Sequence, residues 1–441
     1  MAKGLAVLLS AILLAACAEG GADAPVSQAP ASQVLTAAKP FPALEAEAVL
    51  AKGFQAIWEF SLEEIDVAAF ALEGAKGLGS LDPNLVAAND KGRYVVRLGD
   101  ETVFAAPLPG PSDPRGWARL TIEGLIAARA KSPPLLEADP EQVYQAVFDA
   151  ALARFDLHSR YAGAQETHRL KAKRDGLGEA GAGLVPTVGM VLGDQIASIQ
   201  IVGFNQQTAA NLETKLREAQ TVLGRSWKGL ILDLRGNPGG LLEQAVKSAD
   251  LFLGPGRIAA ARGRHPLSSL NHDAAEGDLA QGIAMVVLVD GRTASSAEVL
   301  AAALQDRGRA VILGSTTYGK GLVQTVIELP NGGEIDLSWS RLLAPSGYAL
   351  QGLGVLPNVC TSANAKHAGL AGLESGAAGG DFAQWRTVGL GSKAARARLR
   401  AICPPDSQGG EAESLALRLL SDRALYAKAL APTGASLALR P

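Results

Sequence analysis

A serine, a lysine and a glutamine stand in two short segments of the second half of the chain. Ser295 lies in GRTASSAE at 291–298, which follows an apolar stretch and opens a helical pattern. A serine at such a place is commonly an N-cap, but the free N–H groups there also favour a developing negative charge. Lys320 lies between two glycines in TYGKGLVQ at 317–324, four residues before Gln324. Most loop lysines are solvated charges, yet a neutral lysine amine can accept a serine proton, so the pair indicates nucleophilic catalysis.

A third segment, DLRGNPGG at 233–240, reads as the end of a strand running into a glycine-rich turn and a helix. Backbone N–H groups in such a turn can form an oxyanion hole. Glycine-rich turns also bind phosphate, but neither G-x-x-x-x-G-K-[ST] nor G-x-G-x-x-G is present here. The five histidines form no H-E-x-x-H pair, and no serine has a G-x-S-x-G elbow. No metal or cofactor is therefore predicted, while a Ser-His-Asp triad assembled in space stays open.

Together the three segments resemble the carboxyl-terminal processing proteases, also called tail-specific proteases, a family built on a Ser-Lys dyad. The spacing from the serine to the lysine, and from the lysine to the glutamine, agrees with the family pattern. The resemblance is detailed from about 196 to 358 and includes further motifs in order. These motifs are GFN at 203–205, APSG at 344–347 and QGLGVLP at 351–357.

The resemblance implies a role for each matched residue. Ser295 would be the nucleophile and Lys320 the general base, with Gln324 orienting the lysine amine. The backbone N–H groups of Gly239 and Ser296 would bind the oxyanion.

Two departures from the family pattern are small. Ser-Ser-Ala-Glu at 295–298 replaces the usual Ser-Ala-Ser-Glu, and Pro357-Asn358 stands where the family often has Pro-Asp. The nucleophile keeps its place, so we expect the first change to affect packing near the oxyanion hole.

The elements around these segments predict an α/β fold. From Ile196 onward, short apolar strands alternate with helical stretches, which is typical of a mostly parallel sheet with helical crossovers. The resemblance implies that 196–360 forms a crotonase- or Clp-like protease core. Upstream, 44–162 favours a mainly helical N-terminal domain with a short β-hairpin made by 94–98 and 102–106. The predicted core strands are 196–204, 229–234, 284–290 and 310–314 with a longer β segment at 322–343, and the predicted core helices are 208–223, 240–253 and 296–305.

The family usually carries a PDZ domain, which grips the substrate's C-terminal residues, between its N-terminal helices and its protease core. Here FDLHSRY at 155–161 resembles the end of the N-terminal region, and the protease-like strand begins at Ile196. The intervening segment, 163–195, is too short for a separate domain. We therefore expect a short connector in place of the PDZ domain and a weak dependence on a free substrate C-terminus.

The N-terminus predicts export. Lys3 supplies a positive charge, and the apolar run that follows is too short to span a bilayer. The run ends in LAAC at 14–17, which resembles the lipobox of bacterial lipoproteins and implies cleavage before Cys17 and lipidation of its thiol. This gives a signal peptide at 1–16 and a lipidated tether at 17–43. An ordinary signal peptide with an incidental Cys17 is the alternative.

The resemblance to exported lipoproteins implies a place in the bacterial periplasm, and Ala18 after the lipidated cysteine favours the outer membrane. Export also leaves an even count of cysteines, Cys360 and Cys403, in an oxidising compartment. A disulfide between them is one reading, and two free buried thiols are the other. The segment 361–441 is expected to be a C-terminal extension with a helix at 413–430.

Composition excludes one partner class. The 441 residues are 48% hydrophobic, enough for a large core, and the formal net charge of −3 gives no basic field for nucleic acid. We therefore predict a cell-envelope serine endopeptidase that cleaves polypeptides through an acyl-enzyme on Ser295. A noncatalytic envelope binding protein on the same fold, or an esterase or amidase, is the alternative. A homo-oligomer and an adaptor stay open.

Overall fold

The computed structural model describes part of the chain. The described ranges are 40–177, 185–275, 277–365, 368–374, 378–407 and 411–431. The predicted signal peptide, Cys17 and the predicted tether up to residue 39 lie outside them. No helix in these ranges is long and apolar enough to cross a membrane. The described residues after Pro40 belong to one compact unit.

The N-terminal region is mainly helical, and its helix starts follow from the sequence. Asp66 and Asp113 accept backbone N–H bonds from the first turns of two helices, and Asp139 forms a capping box with Gln142. The elements are α1 (Ala43–Phe60), α2 (Val67–Gly77), β1 (Leu85–Asp90), β2 (Arg93–Leu98), β3 (Glu101–Pro107), α3 (Pro114–Arg129), α4 (Pro133–Glu137), α5 (Pro140–Leu152), β4 (Arg160–Ala162) and α6 (Ala164–Asp175).

The predicted hairpin is present as β2 and β3, and the structure adds β1 to make a three-stranded antiparallel meander. The sequence reading missed β1 because its second half, AAND at 87–90, is poor in β-branched and aromatic residues. Helix α3, which has Pro114 in its first turn, was not predicted either.

The remaining elements belong to two further sheets and their helices. They are β5 (Val188–Gly193), β6 (Ile196–Ile201), α7 (Thr208–Leu223), β7 (Gly229–Asp233), α8 (Leu242–Asp250), β8 (Gly256–Arg262), β9 (Leu270–Ala274), β10 (Ala284–Val289), α9 (Ser296–Asp306), β11 (Val311–Gly314), β12 (Leu322–Glu328), β13 (Glu334–Leu343), β14 (Val359–Cys360), α10 (Gly369–Glu374), α11 (Ala378–Thr387), α12 (Lys393–Arg400), α13 (Ala412–Ser421) and α14 (Arg423–Leu430).

The larger sheet has six strands in the order β14-β11-β10-β7-β6-β5. All neighbours are parallel except β5, which runs antiparallel to β6. Every residue of β7 is buried, as expected for a parallel strand covered on both faces. The predicted α/β fold with a helical N-terminal region is confirmed.

The second sheet is antiparallel in the order β12-β13-β8-β9, with β4 also paired to β13. The predicted long β segment is the hairpin of β12 and β13, whereas β8 and β9 were not predicted. Strand β13 contributes to two cores along its length. Ile335 and Leu337, in its first half, pack into the N-terminal core, and Leu342, near its end, packs into the core around the larger sheet.

The C-terminal extension packs on the larger sheet. Tyr426 on α14 exchanges hydrogen bonds with both backbone groups of Met285, at 3.0 and 2.9 Å. The predicted single helix is two helices, α13 and α14, separated at Asp422, whose carboxylate caps α14. A disulfide joins Cys360, at the end of β14, to Cys403 beyond α12, with Cα atoms 5.9 Å apart.

Candidate active site

Ser295 stands at the N-terminus of α9, in a loop that we call the nucleophile loop (residues 290–298). Its φ of 57° lies in a region that residues with a side chain rarely adopt. The Asp290 carboxylate fixes the loop by accepting the N–H groups of Arg292 and Thr293, each at 2.9 Å. Such a backbone persists only where its surroundings over-determine it, and such strain is typical of functional sites.

The glycine-rich turn is tied to this loop. Asp290 also accepts the Gly236 N–H at 3.0 Å, and the Thr293 hydroxyl donates to the Leu234 carbonyl at 2.9 Å. At Gly239, where φ is 98°, an added Cβ would lie 2.8 Å from the Ser295 Cβ. Only glycine therefore allows the turn to approach the serine this closely.

Lys320 lies in a second loop, which we call the lysine loop (residues 315–321). The Tyr318 N–H donates to the Thr293 carbonyl at 2.9 Å, which joins this loop to the nucleophile loop. The Gly321 N–H donates to the Gln351 side chain at 2.8 Å, and a Cβ at Gly321 would collide with the Gln351 backbone. The lysine is half-buried, and both flanking glycines are required by their surroundings.

Glu298 joins the two loops. One of its oxygens, Oε2, accepts both the Ser295 N–H at 2.8 Å and the Lys320 N–H at 2.9 Å. The other, Oε1, accepts the Gly319 N–H at 2.7 Å and the Thr317 hydroxyl at 2.5 Å. The distance between the backbone nitrogens of Ser295 and Lys320 is therefore no greater than these two hydrogen-bond lengths combined.

The Glu298 carboxyl group is fully buried. Burial raises its pKa, and the four hydrogen bonds it accepts oppose that rise because they favour the charged form. The residue was not singled out from the sequence. Its signal was nevertheless present, since a glutamate three residues after a serine at a helix start is the capping-box pattern.

Gln324 has a different partner from the one predicted. Its side-chain amide donates to the His158 carbonyl at 2.6 Å, and the Lys320 amine makes no hydrogen bond within the described residues. A bulge between Val323 and Gln324 brings the two residues of β12 opposite Ser340 and Ser338 on β13. Gln324 therefore connects the strand after the lysine loop to the end of the N-terminal region.

His158 is the described histidine whose electrostatics involve the lysine. Burial and the positive charge of Lys320 lower the pKa of His158, while Asp156 raises it. His168 is exposed on α6, His265 and His272 lie in or near the hairpin of β8 and β9, and His367 is outside the described ranges. In the described part of the chain, no group of three or more His, Cys, Asp or Glu is placed to hold a metal ion.

The two predicted oxyanion donors differ in their present state. The Gly239 N–H donates to the Asn237 side chain at 2.8 Å, so it reaches an oxyanion only after that bond opens. The Ser296 N–H belongs to the first turn of α9, where N–H groups have no partner within the helix. The Ser296 hydroxyl donates to the Gly240 carbonyl at 2.8 Å, which ties this end of α9 to the glycine-rich turn.

Comparison with known proteins gives a family match for the segment that holds this site. Residues 195–361 match the model for peptidase family S41. A carboxy-terminal-processing protease of Bartonella bacilliformis is 39% identical over 165 residues, which covers 37% of this chain and 38% of that protein. The carboxy-terminal processing protease CtpA of Bacillus subtilis is 36% identical over 166 residues, covering 38% of this chain and 35% of the relative.

Among solved structures, a photosystem II D1 C-terminal processing protease is 26% identical, with a TM-score of 0.35, over 40% of this chain and 48% of that one. The chain thus matches well under half the length of the curated relatives. The family match and the two sequence relatives confirm the resemblance on which the residue roles rest. The chain carries a peptidase family S41 domain at 195–361, similar to that of carboxy-terminal processing proteases, and both the nucleophile loop and the lysine loop lie within it.

Proposed function

We propose that this protein is a serine endopeptidase in which Ser295 is the nucleophile and Lys320 the general base. The observation that carries the proposal is the Glu298 carboxylate, which binds the N–H groups of both residues through a single oxygen. This shared acceptor holds the two backbones side by side at a helix N-terminus. Fixed proximity of a nucleophile and its base is what covalent catalysis needs.

The chemistry begins with a neutral Lys320, because only a neutral amine has the lone pair that accepts a proton. Lys320 takes the proton from the Ser295 hydroxyl as the oxygen attacks the peptide carbonyl carbon. The resulting oxyanion is stabilised by the Ser296 N–H, by the N-terminal end of α9 and, once released from Asn237, by the Gly239 N–H.

Collapse of this intermediate breaks the peptide bond. The departing amine takes the proton from Lys320, and the acyl group stays on Ser295 as an ester. Lys320 then deprotonates a water molecule, which attacks the ester carbonyl and releases the new carboxyl terminus. Ser295 recovers its proton from Lys320, and the enzyme returns to its starting state.

The sequence and its relatives support a location and a class of substrate for this protein. The predicted signal peptide and the lipobox-like Cys17 support a lipid-anchored protein at the periplasmic side of the outer membrane. The two relatives are carboxy-terminal processing proteases, and this similarity supports polypeptide substrates, with cleavage towards the carboxyl terminus. Because the sequence predicts a short connector in place of a PDZ domain, we propose that recognition depends mainly on the chain around the scissile bond.

The test is turnover of an unfolded protein, such as reduced casein, and of a peptide library by purified mature protein. We expect cleavage by the wild type and by Ser226→Ala, a distant exposed serine, and none by Ser295→Ala. A fluorophosphonate should label Ser295. Equal cleavage by Ser295→Ala would refute the proposal. Turnover of short acyl esters alone would favour the esterase, and no labelling or turnover would favour the noncatalytic binding protein.

A further inference from the structure

We infer that Arg400, in the C-terminal extension beyond the S41 domain, is a positioning residue for the Ser295–Lys320 pair. It holds the lysine loop in place and presents a cation to the buried Glu298 carboxylate. The inference rests on the proposed function and adds to it a residue that the family match at 195–361 does not include.

The guanidinium of Arg400 contacts the lysine loop directly. One nitrogen, Nη1, donates to the Thr317 carbonyl at 2.9 Å and to the Leu353 carbonyl at 2.5 Å. The same nitrogen would lie 3.2 Å from a Cβ at Gly319 and 3.1 Å from one at Gly354. Two glycines therefore make room for the cation beside the residue that precedes Lys320.

Thr317 relays this contact to Glu298. Its carbonyl binds Arg400, and its hydroxyl donates to Glu298 Oε1 at 2.5 Å. Its hydroxyl also accepts the Val355 N–H at 2.8 Å, so the hydrogen of the hydroxyl is directed at the carboxylate. Arg400 thus acts on the dyad through one residue of the lysine loop and the shared carboxylate.

The charges agree with this geometry. Burial lowers the pKa of Arg400, and the negative charge of Glu298 opposes that shift. The other titratable groups facing Glu298 are Lys320, whose N–H it accepts, and Tyr348. Burial raises the pKa of Tyr348 well above its ordinary value, so that hydroxyl stays neutral. A carboxylate with no solvent contact is stabilised by a nearby cation of this kind.

The rest of the extension anchors this arginine. On the same helix, Arg396 donates to the Ala349 and Gln351 carbonyls at 2.6 and 2.7 Å. Three residues after Arg400, Cys403 is bonded to Cys360 at the end of the S41 domain. Arg396, Arg400 and the disulfide therefore fix α12 against the segments that surround the lysine loop.

The extension also contacts the start of each loop. The Asp406 carbonyl accepts the Gly291 N–H and the Ser315 hydroxyl, both at 2.8 Å. Its own N–H donates to the Ser315 oxygen at 2.9 Å. The C-terminal extension thus bridges the nucleophile loop and the lysine loop from outside the family domain.

A charge effect separates this role from a merely structural one. Glu298 accepts four donors as a carboxylate and Lys320 must be neutral to act, so protonation of either group should lower activity as pH drops. Loss of the nearby Arg400 cation would raise the pKa of Glu298 further, because a positive charge favours the carboxylate, and the acidic limb of the pH–rate profile would move to higher pH. Arg400→Lys keeps the charge and should leave the limb near its wild-type position.

The first arm of the test measures kcat and KM against pH for wild type, Arg400→Gln, Arg400→Lys and Arg398→Gln, an exposed arginine on the same helix. For Arg400→Gln we expect kcat/KM to fall roughly 10- to 100-fold, mainly through kcat, with the acidic limb shifted upward. Arg398→Gln should match wild type. A folded Arg400→Gln with a wild-type profile, or with lower activity and an unshifted limb, would overturn the inference.

The second arm does not depend on turnover. Hydrogen exchange of the amides at 315–321 should be faster in Arg400→Gln than in wild type and unchanged in Arg398→Gln, and Arg400→Lys should lie between them. Unchanged exchange in both Arg400 variants would overturn the inference even for an inactive protein. A wild type whose turnover equals that of Ser295→Ala would instead refute the proposed function. The hydrogen-exchange result does not depend on turnover, so the two failures are distinguishable.

Discussion

The nucleophile loop and the lysine loop are held in different ways. Around Ser295, Asp290, Thr293 and the turn at Gly239 all lie within the S41 domain, and the C-terminal extension contacts the start of the loop where the Asp406 carbonyl accepts the Gly291 N–H. Around Lys320, the domain contributes Glu298, Thr293 and Gln351, and further support comes from elsewhere. Arg400 contacts the lysine loop from the C-terminal extension. Strand β12, which follows the lysine loop, is joined through the Gln324 side chain to the His158 carbonyl.

The difference separates bonds that lie within the S41 domain from bonds that the surrounding chain supplies. The loop of Ser295 is placed mainly by bonds within the domain, such as that from Thr293 to Leu234, which spans 59 residues. The region of Lys320 is also placed by bonds that span 83 residues to Arg400 and 166 residues to His158. We therefore expect changes far along the chain to affect the base side of the site and to leave the Ser295 backbone in place.

Glu298→Gln should have the largest effect of the supporting residues, because Glu298 serves both loops. The new amide has only one oxygen for four donors and would turn its N–H₂ towards backbone N–H groups. We expect turnover to fall at least 100-fold and the free energy of unfolding to fall by roughly 2 to 4 kcal/mol. Peptide turnover and urea unfolding measure the two effects.

The matched control is Glu213→Gln, whose carboxylate pairs with Arg217 on a solvent-exposed helix face. It should change neither quantity appreciably. If Glu298→Gln retains wild-type turnover, the shared carboxylate does not position Ser295 and Lys320. The hydrogen bonds from both residues to Glu298 would then no longer support the proposed mechanism.

Breaking the disulfide should have the next largest effect. Cys360 and Cys403 are separated by 43 residues, and loss of such a link costs on the order of 3 to 4 kcal/mol by chain entropy. Cys403→Ser should lower the melting temperature and, by loosening α12, reduce both turnover and fluorophosphonate labelling of Ser295. Retained turnover in a protein with a clearly lower melting temperature would show that the extension stabilises the fold without supporting the base.

A direct check of the link is alkylation of exported protein without reductant. The structure predicts that neither thiol reacts in unfolded material until a reductant is added. Two thiols that react without reductant would favour the alternative of free cysteines.

Gln324→Ala should have a smaller effect, confined to the base side. It removes the bond to the His158 carbonyl, which is worth about 1 kcal/mol of stability. We expect kcat/KM to fall about 10-fold as the strand after the lysine loop loses its tie to the N-terminal region. Gln220→Ala is the control, because Gln220 also donates to a backbone carbonyl, that of Leu279, far from the site. Equal losses of activity in both variants would contradict a positioning role for Gln324.

The sequence was sufficient where the determinants are local. The boundaries of β10 and α9, which carry Ser295, match the predicted strand and helix closely because an apolar run, a turn and a cap define them. The capping box at Asp139 is likewise a local pattern, because its partner Gln142 lies three residues later in the chain. Such elements depend on residues that are neighbours in the chain.

The sequence was insufficient where contacts are long-range or the signal is weak. The partner of Gln324 depends on a bulge in β13, opposite Val323 and Gln324, and on a carbonyl of the N-terminal region, and neither has a sequence pattern. Strand β8, GRIAAAR at 256–262, was missed because alanine has low strand propensity. Arg400 carries no motif at all, and its role follows only from the packing of α12 on the lysine loop.

The central claim is that Lys320 is the base for Ser295, and Lys320→Arg tests it most directly. Arginine keeps the charge and roughly the size but does not deprotonate in proteins, so it has no lone pair to offer. We predict that kcat/KM for a good peptide substrate falls to background in a folded Lys320→Arg protein. Lys228→Arg, an exposed control, should keep the wild-type value. Substantial turnover by a folded Lys320→Arg would contradict the account and make His158 the next candidate for the base.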